Sequence, residues 1–141
     1  MLKIGQNAPE FSLPNQDDVT ISLKDFKGKK ILIWFFTKAS TGGCTREGLG
    51  FNDHFKSFEK RNISIIGISK DSINAQKNFC NKNEFKFDIL SDTELNVLKK
   101  YKAWGLKKMY GREYEGILRI SYLVDEDLSL IHISEPTRHP L

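Results

Sequence analysis

The chain is poor in the residue types on which several common functions depend. Its 141 residues include two cysteines and three histidines, and these do not cluster with acidic residues in the pattern of a metal site. No apolar run approaches the ~20 residues of a membrane-spanning helix, and the first six residues do not resemble a signal peptide. We therefore expect a protein of a reducing cytosol that needs no metal or organic cofactor. In that compartment two cysteines are more often redox-active than structural.

The chain also has no segment in which charges of one sign are concentrated. The net charge of +4 comes from 22 basic and 18 acidic residues, which are spread along the chain without a dense Lys/Arg stripe. This distribution argues against a nucleic-acid-binding protein. A chain of this length forms one domain with a real core. We expect a monomer that binds neither nucleic acid nor membrane.

One stretch combines a buried strand, a loop of small residues and a helix that begins near a cysteine. The apolar run Ile31–Phe36 is short and rich in β-branched and aromatic residues, which predicts a central strand buried on both faces. The loop Thr37–Gly43 ends it. Beyond the loop, apolar positions recur at helical spacing and predict one face of an amphipathic helix: Cys44, Gly48, Phe51, Phe55 and Phe58.

This arrangement places the Cys44 thiol in the first turn of a helix. Unpaired backbone N–H groups and the positive end of the helix dipole favour a thiolate there, and such placement lowers a cysteine pKa from about 8.5 to ~3.5–7.5. Two glycines in the loop let backbone approach the sulfur, and Thr41 is placed to aim a hydroxyl at whatever the sulfur attacks. We therefore predict that Cys44 is a nucleophile. The alternative is a buried structural cysteine.

The rest of the chain alternates strand and helix patterns, which predicts an α/β sandwich that opens with a β-hairpin. Arg119 begins an otherwise apolar strand, and we interpret it as a fixed cation near the thiolate; the alternative is a surface ion pair. His54 is interpreted as a solvated surface residue. The predicted elements are hairpin strands at 11–13 and 19–23, strands at 63–69, 87–90 and 119–125, helices at 73–82 and 94–101, and an irregular segment at 103–116.

Five segments together resemble one known family, the peroxiredoxins, and within it the bacterioferritin-comigratory or Q-type branch. The resemblance runs from about Leu2 to Asp127. The segments are Ala8-Pro9-Glu10-Phe11-Ser12-Leu13-Pro14, Thr41-Gly42-Gly43-Cys44-Thr45-Arg46-Glu47, Gly67-Ile68-Ser69-Lys70-Asp71, Lys108-Met109-Tyr110-Gly111 and Arg119-Ile120-Ser121-Tyr122-Leu123-Val124-Asp125.

The resemblance implies a thioredoxin-like fold, with a central mixed sheet flanked by helices. It also implies a thiol-dependent peroxidase that reduces hydrogen peroxide and organic hydroperoxides and is itself reduced by thioredoxin. Cys44 would be the peroxidatic cysteine, Thr41 the motif threonine and Arg119 the active-site arginine. Glu47 would help to orient Arg119.

The chain departs from the family pattern at three positions. Thr37 stands where the family usually has proline, and Gly42 where it often has proline; both changes should loosen the loop and lower efficiency or stability. Leu49 stands where the commonest arrangement has a resolving cysteine. Cys80, 36 residues after Cys44, is the candidate for that role, as in a second subgroup of the branch. The alternatives are a one-cysteine peroxidase that uses an external thiol, and an inactive thioredoxin-fold scaffold.

The end of the chain follows a different pattern. From Leu128 the sequence resembles a translated transposase-type sequencing adapter. We therefore expect a peroxiredoxin domain at residues 1–127 and a non-native tail at residues 128–141. The closing strand and helix that the resemblance implies would then be missing. Leu128–Ile133 nevertheless alternates well enough to pair with the strand at 119–125 in place of the missing one.

Overall fold

The structure, a computed structural model, describes residues 2–134. Nine strands and four α-helices follow one another in this part of the chain, together with a 3₁₀ turn at Leu23–Phe26. The strands are β1 (Ser12–Pro14), β2 (Thr20–Ser22), β3 (Lys30–Phe35), β4 (Ile63–Ser69), β5 (Asp88–Ser91), β6 (Trp104–Met109), β7 (Arg112–Ile117), β8 (Ser121–Val124) and β9 (Leu130–Ser134). The helices are α1 (Gly42–Asp53), α2 (Phe55–Lys60), α3 (Ile73–Asn83) and α4 (Asn96–Lys100).

A five-stranded mixed sheet in the order β5-β4-β3-β8-β9 forms the centre of the molecule. Strands β3, β4 and β5 are parallel to one another, whereas β8 is antiparallel to both β3 and β9. Short strands β1 and β2 form an antiparallel hairpin outside this sheet. The predicted mixed sheet flanked by helices, with a hairpin near the start of the chain, is confirmed.

Strand β3 is buried on both faces because its side chains alternate between two apolar clusters. Ile31, Ile33 and Phe35 pack into one cluster together with α4 and the segment around Phe11. The residues that alternate with them, including Trp34, pack into the other cluster with α1 and α3. The uninterrupted apolar run of this strand therefore has a simple cause, since neither face meets water.

Helix α1 carries the predicted stripe, with Cys44, Gly48 and Phe51 buried. A break at His54 separates it from α2, whose Phe55 also packs against the cluster below α1. Gly48 is required for close packing, because a Cβ there would come within 3.0 Å of ring carbons of Trp34 and Phe85. The helix therefore lies close to the sheet. His54 is exposed, as predicted.

Helix α3 begins as its sequence predicts. Ser72 is the N-cap, and its side chain accepts a hydrogen bond from the Ala75 N–H at 3.1 Å. The side chains of Gln76, Phe79 and Cys80 are buried against the sheet. The predicted helix at 94–101 is shorter in the structure, since α4 starts only after Leu95, whose φ is 68°.

The prediction of an irregular segment at 103–116 was wrong, because most of this segment forms the β6–β7 hairpin. Tyr110 and Gly111 form its two-residue turn, with φ of 53° and 76°, as a tight hairpin turn of this hand requires. The strands carry charged side chains such as Lys108 and Glu113, which form an exposed ion pair at 3.4 Å. Because so many side chains of the two strands are charged, apolar and polar residues do not alternate clearly enough in this segment to predict strands.

The strand expected at 119–125 is shorter in the structure and begins at Ser121. Arg119 immediately precedes it, and the Ile120 carbonyl still accepts a hydrogen bond from the Phe35 N–H at 3.0 Å. Strand β9 pairs with β8 with Tyr122 opposite Ile133, and Leu130 is fully buried. The boundary at residue 127 remains a prediction, and residues 135–141 of the expected tail lie outside the described residues. Within residues 2–134, no helix has the length and apolarity needed to cross a membrane.

Candidate active site

Cys44 lies in the first turn of α1, as predicted. Thr41 is the N-cap with extended backbone, and its carbonyl accepts the first helical hydrogen bond from the Thr45 N–H at 2.9 Å. The Cys44 side chain is fully buried. The thiol therefore combines a helix N-terminus with a site shielded from water.

Two side chains contact the Cys44 sulfur. The hydroxyl of Thr37 lies 3.2 Å from Sγ, and Nη2 of Arg119 lies 3.7 Å from it. Arg119 Nη2 is also 3.4 Å from Oε1 of Glu47, which Trp34 Nε1 approaches at 3.5 Å. The Arg119 guanidinium thus lies between the Cys44 sulfur and the Glu47 carboxylate and contacts both.

These contacts lower the pKa of Cys44 below its ordinary value. Burial is the largest single influence and raises this pKa. Hydrogen bonds from the backbone of Lys38 and from the side chains of Thr37, Thr41 and Arg119 together outweigh it. The thiolate therefore adds to the stability of the folded protein above the ordinary thiol pKa, and this contribution is lost as the pH falls through the lowered pKa.

Arg119 responds to the same pairing. Burial is the largest single influence and lowers the pKa of Arg119. The hydrogen bond to Cys44 and the charges of Glu47 and Cys44 together outweigh burial, so the pKa lies above its ordinary value. The pKa of Lys107 is lowered by burial and by the charge of Arg119, whereas the charge of Cys44 acts to raise it. Lys107 on β6 therefore lies within electrostatic range of Cys44 and Arg119.

The loop between β3 and α1 is tied to the neighbouring strand by Asp71. Its Oδ2 accepts hydrogen bonds from the Ala39 N–H at 2.8 Å and from the Ser69 hydroxyl at 2.7 Å. The buried side chain of Gln76 in turn donates to the Ser69 hydroxyl at 2.9 Å. One carboxylate therefore anchors the loop that carries Thr37 and Thr41.

We expect Asp71→Ala to destabilise the protein by about 1–3 kcal/mol, because it leaves the Ala39 N–H and the Ser69 hydroxyl without their acceptor. Urea unfolding measures this loss. Asp71→Asn keeps one side-chain oxygen as an acceptor and should retain most of the stability. Asp53→Ala, at the exposed end of α1, is the matched control. Equal urea-unfolding midpoints for Asp71→Ala and Asp53→Ala would contradict the anchoring role of Asp71.

The structure brings together three of the predicted site residues, Cys44, Arg119 and Glu47. Thr41 lies beside them, and its hydroxyl donates to the Lys38 carbonyl at 2.8 Å. Cys80 is not in contact with them: it lies on α3, where its thiol donates to the Phe85 carbonyl at 3.6 Å. Both cysteines are free.

Sequence reasoning missed two residues of the site. Thr37 was considered only as a departure from a proline pattern, although it begins the loop that leads to the cysteine. Lys107 lay in the segment taken as irregular. In residues 2–134 no group of three His, Cys, Asp or Glu side chains could hold a metal ion.

Comparison with known proteins identifies the family of the chain. The model of the AhpC/TSA family matches residues 4–133. The chain belongs to the AhpC/TSA family. Peroxiredoxin Bcp of Escherichia coli is similar, with 39% identity over 132 residues, which cover 94% of this chain and 85% of that protein. The present chain is thus a peroxiredoxin, an oxidoreductase that reduces peroxides with a cysteine thiol.

Solved structures of other peroxiredoxins share its fold. The bacterioferritin comigratory protein of Xanthomonas campestris, described for its alkyl peroxide reduction activity, superposes with a TM-score of 0.83 at 30% identity, over 88% of this chain and 79% of that one. A cysteine-to-serine variant of Xanthomonas campestris peroxiredoxin Q gives a TM-score of 0.84 at 31% identity, with the same coverage. The cysteine-to-serine variant at its other, earlier cysteine gives a TM-score of 0.83 at 31% identity. The expected thioredoxin-like peroxiredoxin fold is confirmed.

Proposed function

We propose that this peroxiredoxin reduces hydrogen peroxide and alkyl hydroperoxides with the Cys44 thiolate as the attacking group. The observation that carries the proposal is the contact of 3.7 Å between Cys44 Sγ and Arg119 Nη2 in the first turn of α1. The alkyl peroxide activity described for the similar Xanthomonas protein supports the substrate class. A buried thiol paired with a fixed cation is suited to attack a small neutral oxidant.

In the first step the Cys44 sulfur takes one oxygen of the peroxide, and the O–O bond breaks. The other oxygen leaves with the electron pair of that bond and takes up a proton, to give water or an alcohol. Cys44 becomes a sulfenic acid. Arg119, the Thr41 hydroxyl and the N–H groups at the start of α1 stabilise the charge that develops on the two oxygens, and Glu47 positions Arg119.

The buried Nε–H of Arg119 adds a further donor. It has no hydrogen-bond partner in residues 2–134, although buried polar groups are nearly always paired. A peroxide oxygen bound beside the guanidinium would satisfy it. Arg119 thus carries both a contact to the nucleophile and a free donor, and both support a catalytic role.

We assign Cys80 as the resolving cysteine. Its thiolate attacks the Cys44 sulfenic sulfur, and the sulfenic oxygen leaves as water when the disulfide forms. Two observations support the pairing: both cysteines pack into the same apolar cluster, and the two substituted cysteines of Xanthomonas peroxiredoxin Q are as far apart in their sequence as Cys44 and Cys80 are here.

Each thiol is hydrogen-bonded elsewhere before the reaction, Cys44 to Thr37 and Cys80 to the Phe85 carbonyl. Both hydrogen bonds must break before the disulfide forms, and we propose that the first turn of α1 unwinds in this step. Burial raises the pKa of Cys80, and the charges of Asp88 and Asp17 raise it further, so Cys80 stays protonated until this opening exposes it. A thioredoxin-like dithiol protein then reduces the disulfide.

The remaining assignments concern the setting of the reaction. We place the protein in the cytoplasm, as a monomer with no nucleic-acid or membrane partner. No metal or organic cofactor takes part in the proposed steps, because sulfur carries both electrons.

Intact-mass measurement after one equivalent of hydrogen peroxide tests the assignment of both cysteines. The reduced wild-type protein should lose two hydrogens, and Cys80→Ser should gain one or more oxygens on Cys44. Cys44→Ser should keep its mass. A wild-type chain that gains oxygen as Cys80→Ser does would identify a one-cysteine enzyme. An unchanged mass in both would refute Cys44 as the nucleophile.

A further inference from the structure

Thr37 has the shortest side-chain contact with the reactive sulfur. Its Oγ1 lies 3.2 Å from Cys44 Sγ, against 3.7 Å for Nη2 of Arg119. Thr37 lies two residues after the end of β3 and is only partly exposed. Among residues 2–134 its hydroxyl has no other hydrogen-bond partner, so nothing in this part of the chain competes with the sulfur for it.

The direction of this hydrogen bond depends on the state of the sulfur. A thiolate carries no hydrogen and can only accept, whereas a hydroxyl has one hydrogen to donate. When Cys44 is ionised, the Thr37 hydroxyl must therefore donate to the sulfur. This contact stabilises the charged form selectively, since hydrogen bonds to ionised acceptors are roughly twice as strong as neutral ones.

The neighbouring hydroxyl of Thr41 cannot take over this role without a loss. Its hydrogen is directed at the Lys38 carbonyl at 2.8 Å, so the part that the Thr41 hydroxyl has in lowering the pKa of Cys44 competes with that bond. Thr37 has no such conflict. Proline, which the family usually has at this position, carries no hydroxyl, so the contact depends on the presence of threonine here.

We propose that Thr37 is a further catalytic residue, whose hydroxyl donates a hydrogen bond to the Cys44 sulfur and stabilises the attacking thiolate. The proposal rests on the proposed role of Cys44 as the nucleophile. It assigns a chemical role to a residue that otherwise counts only as the loss of a loop-stiffening proline.

The proposal has a signature in the pH profile that a structural role would not produce. Without the hydroxyl the pKa of Cys44 rises, and we expect about tenfold less thiolate well below that pKa. Each thiolate is then more reactive, since nucleophilicity rises with pKa with a slope of about 0.4–0.5 and thus gains roughly threefold. The two profiles must therefore cross.

The test measures iodoacetamide alkylation of Cys44 against pH, with Cys80→Ser as the common background so that one thiol reacts. Thr37→Val should react roughly threefold more slowly than the background at low pH and roughly threefold faster at high pH. Thr37→Ser keeps the hydroxyl and should match the background. Thr45→Val is the matched control, because the Thr45 hydroxyl donates to the Thr41 carbonyl at 2.7 Å and not to the sulfur.

Three results would overturn the proposal. The first two concern Thr37→Val: an unchanged pH midpoint of alkylation, or alkylation that is slower by the same factor at every pH. The third is a Thr37→Ser alkylation profile that differs from the background although the melting temperature is unchanged. The Thr37→Ser comparison stands even if Thr37→Val does not fold. Failure of the underlying function looks different. In that case the background protein itself would show an ordinary thiol midpoint and no oxidation by peroxide.

Discussion

Arg119→Met is expected to lower the second-order rate constant for peroxide reduction by about 10²–10³-fold, the usual cost of removing one donor to a developing charge. Methionine keeps the length and apolar body of the side chain, but it removes the contact with Cys44 and the ion pair with Glu47. The pKa of Cys44 should rise at the same time, because one of the groups that lowers it is lost. Stopped-flow kinetics with hydrogen peroxide and an alkyl hydroperoxide measure the rate.

A nearby arginine provides the control for charge alone. Arg46 is exposed on α1, two residues after the cysteine, and Arg46→Met should leave the rate within a few-fold of wild type. The rate constant of Glu47→Gln should lie between those of Arg119→Met and Arg46→Met, because this substitution weakens the positioning of Arg119 but leaves the cation in place. A loss of less than tenfold in Arg119→Met would contradict the assigned role.

Gly43→Ala is expected to lower the same rate constant by about 10²-fold while leaving the fold intact. A Cβ on residue 43 would collide with the guanidinium of Arg119. The end of a long side chain yields more easily than backbone, so the arginine would move away from Cys44. Because Gly43 lies in α1, alanine should raise stability by about 0.5–1 kcal/mol through its better helix propensity. Activity and stability should therefore change in opposite directions.

Gly50→Ala is the matched control for this substitution. Gly50 lies in the same helix, and a Cβ there would meet nothing within 4 Å, so the stability gain should appear without the kinetic loss. In the Arg119→Met background Gly43→Ala should have little further effect on rate, because the group it displaces is already gone. Additive losses would show that Gly43 acts through something other than Arg119.

The sequence predicted the fold best where local pattern and tertiary environment agree. Ile31–Phe36 is apolar throughout because both faces of β3 are covered, and the helix after it keeps its spacing because one face meets the sheet. The β6–β7 hairpin was missed because it lies outside the central sheet. Its strands then need no regular apolar face, and Tyr110 in its turn is almost fully exposed.

The site was predictable to the extent that it follows the chain. Cys44 was predicted from the helix pattern, whereas Glu47 was assigned through the family resemblance, although both lie on one helix. Arg119 was interpreted as a cation near the thiolate because it begins an apolar strand, but no spacing fixes its contact with Cys44, which joins residues 75 positions apart. The Thr37 contact depends on how the end of β3 turns into α1, and the spacing of residues does not encode that geometry.

The antiparallel pairing of β3 with β8, which sets Trp34 opposite Ser121, links the chemistry of this protein to its biosynthesis. The cysteine loop follows β3 and Arg119 precedes β8, so both lie at the same end of this pair. The contact between Cys44 and Arg119 therefore forms only when two distant segments of the chain close on each other. A nascent chain that has exposed Cys44 but not yet Arg119 lacks one of the contacts that lower the pKa of this thiol. Under the proposed role of Cys44, we expect its reactivity toward peroxide to rise as the sheet is completed.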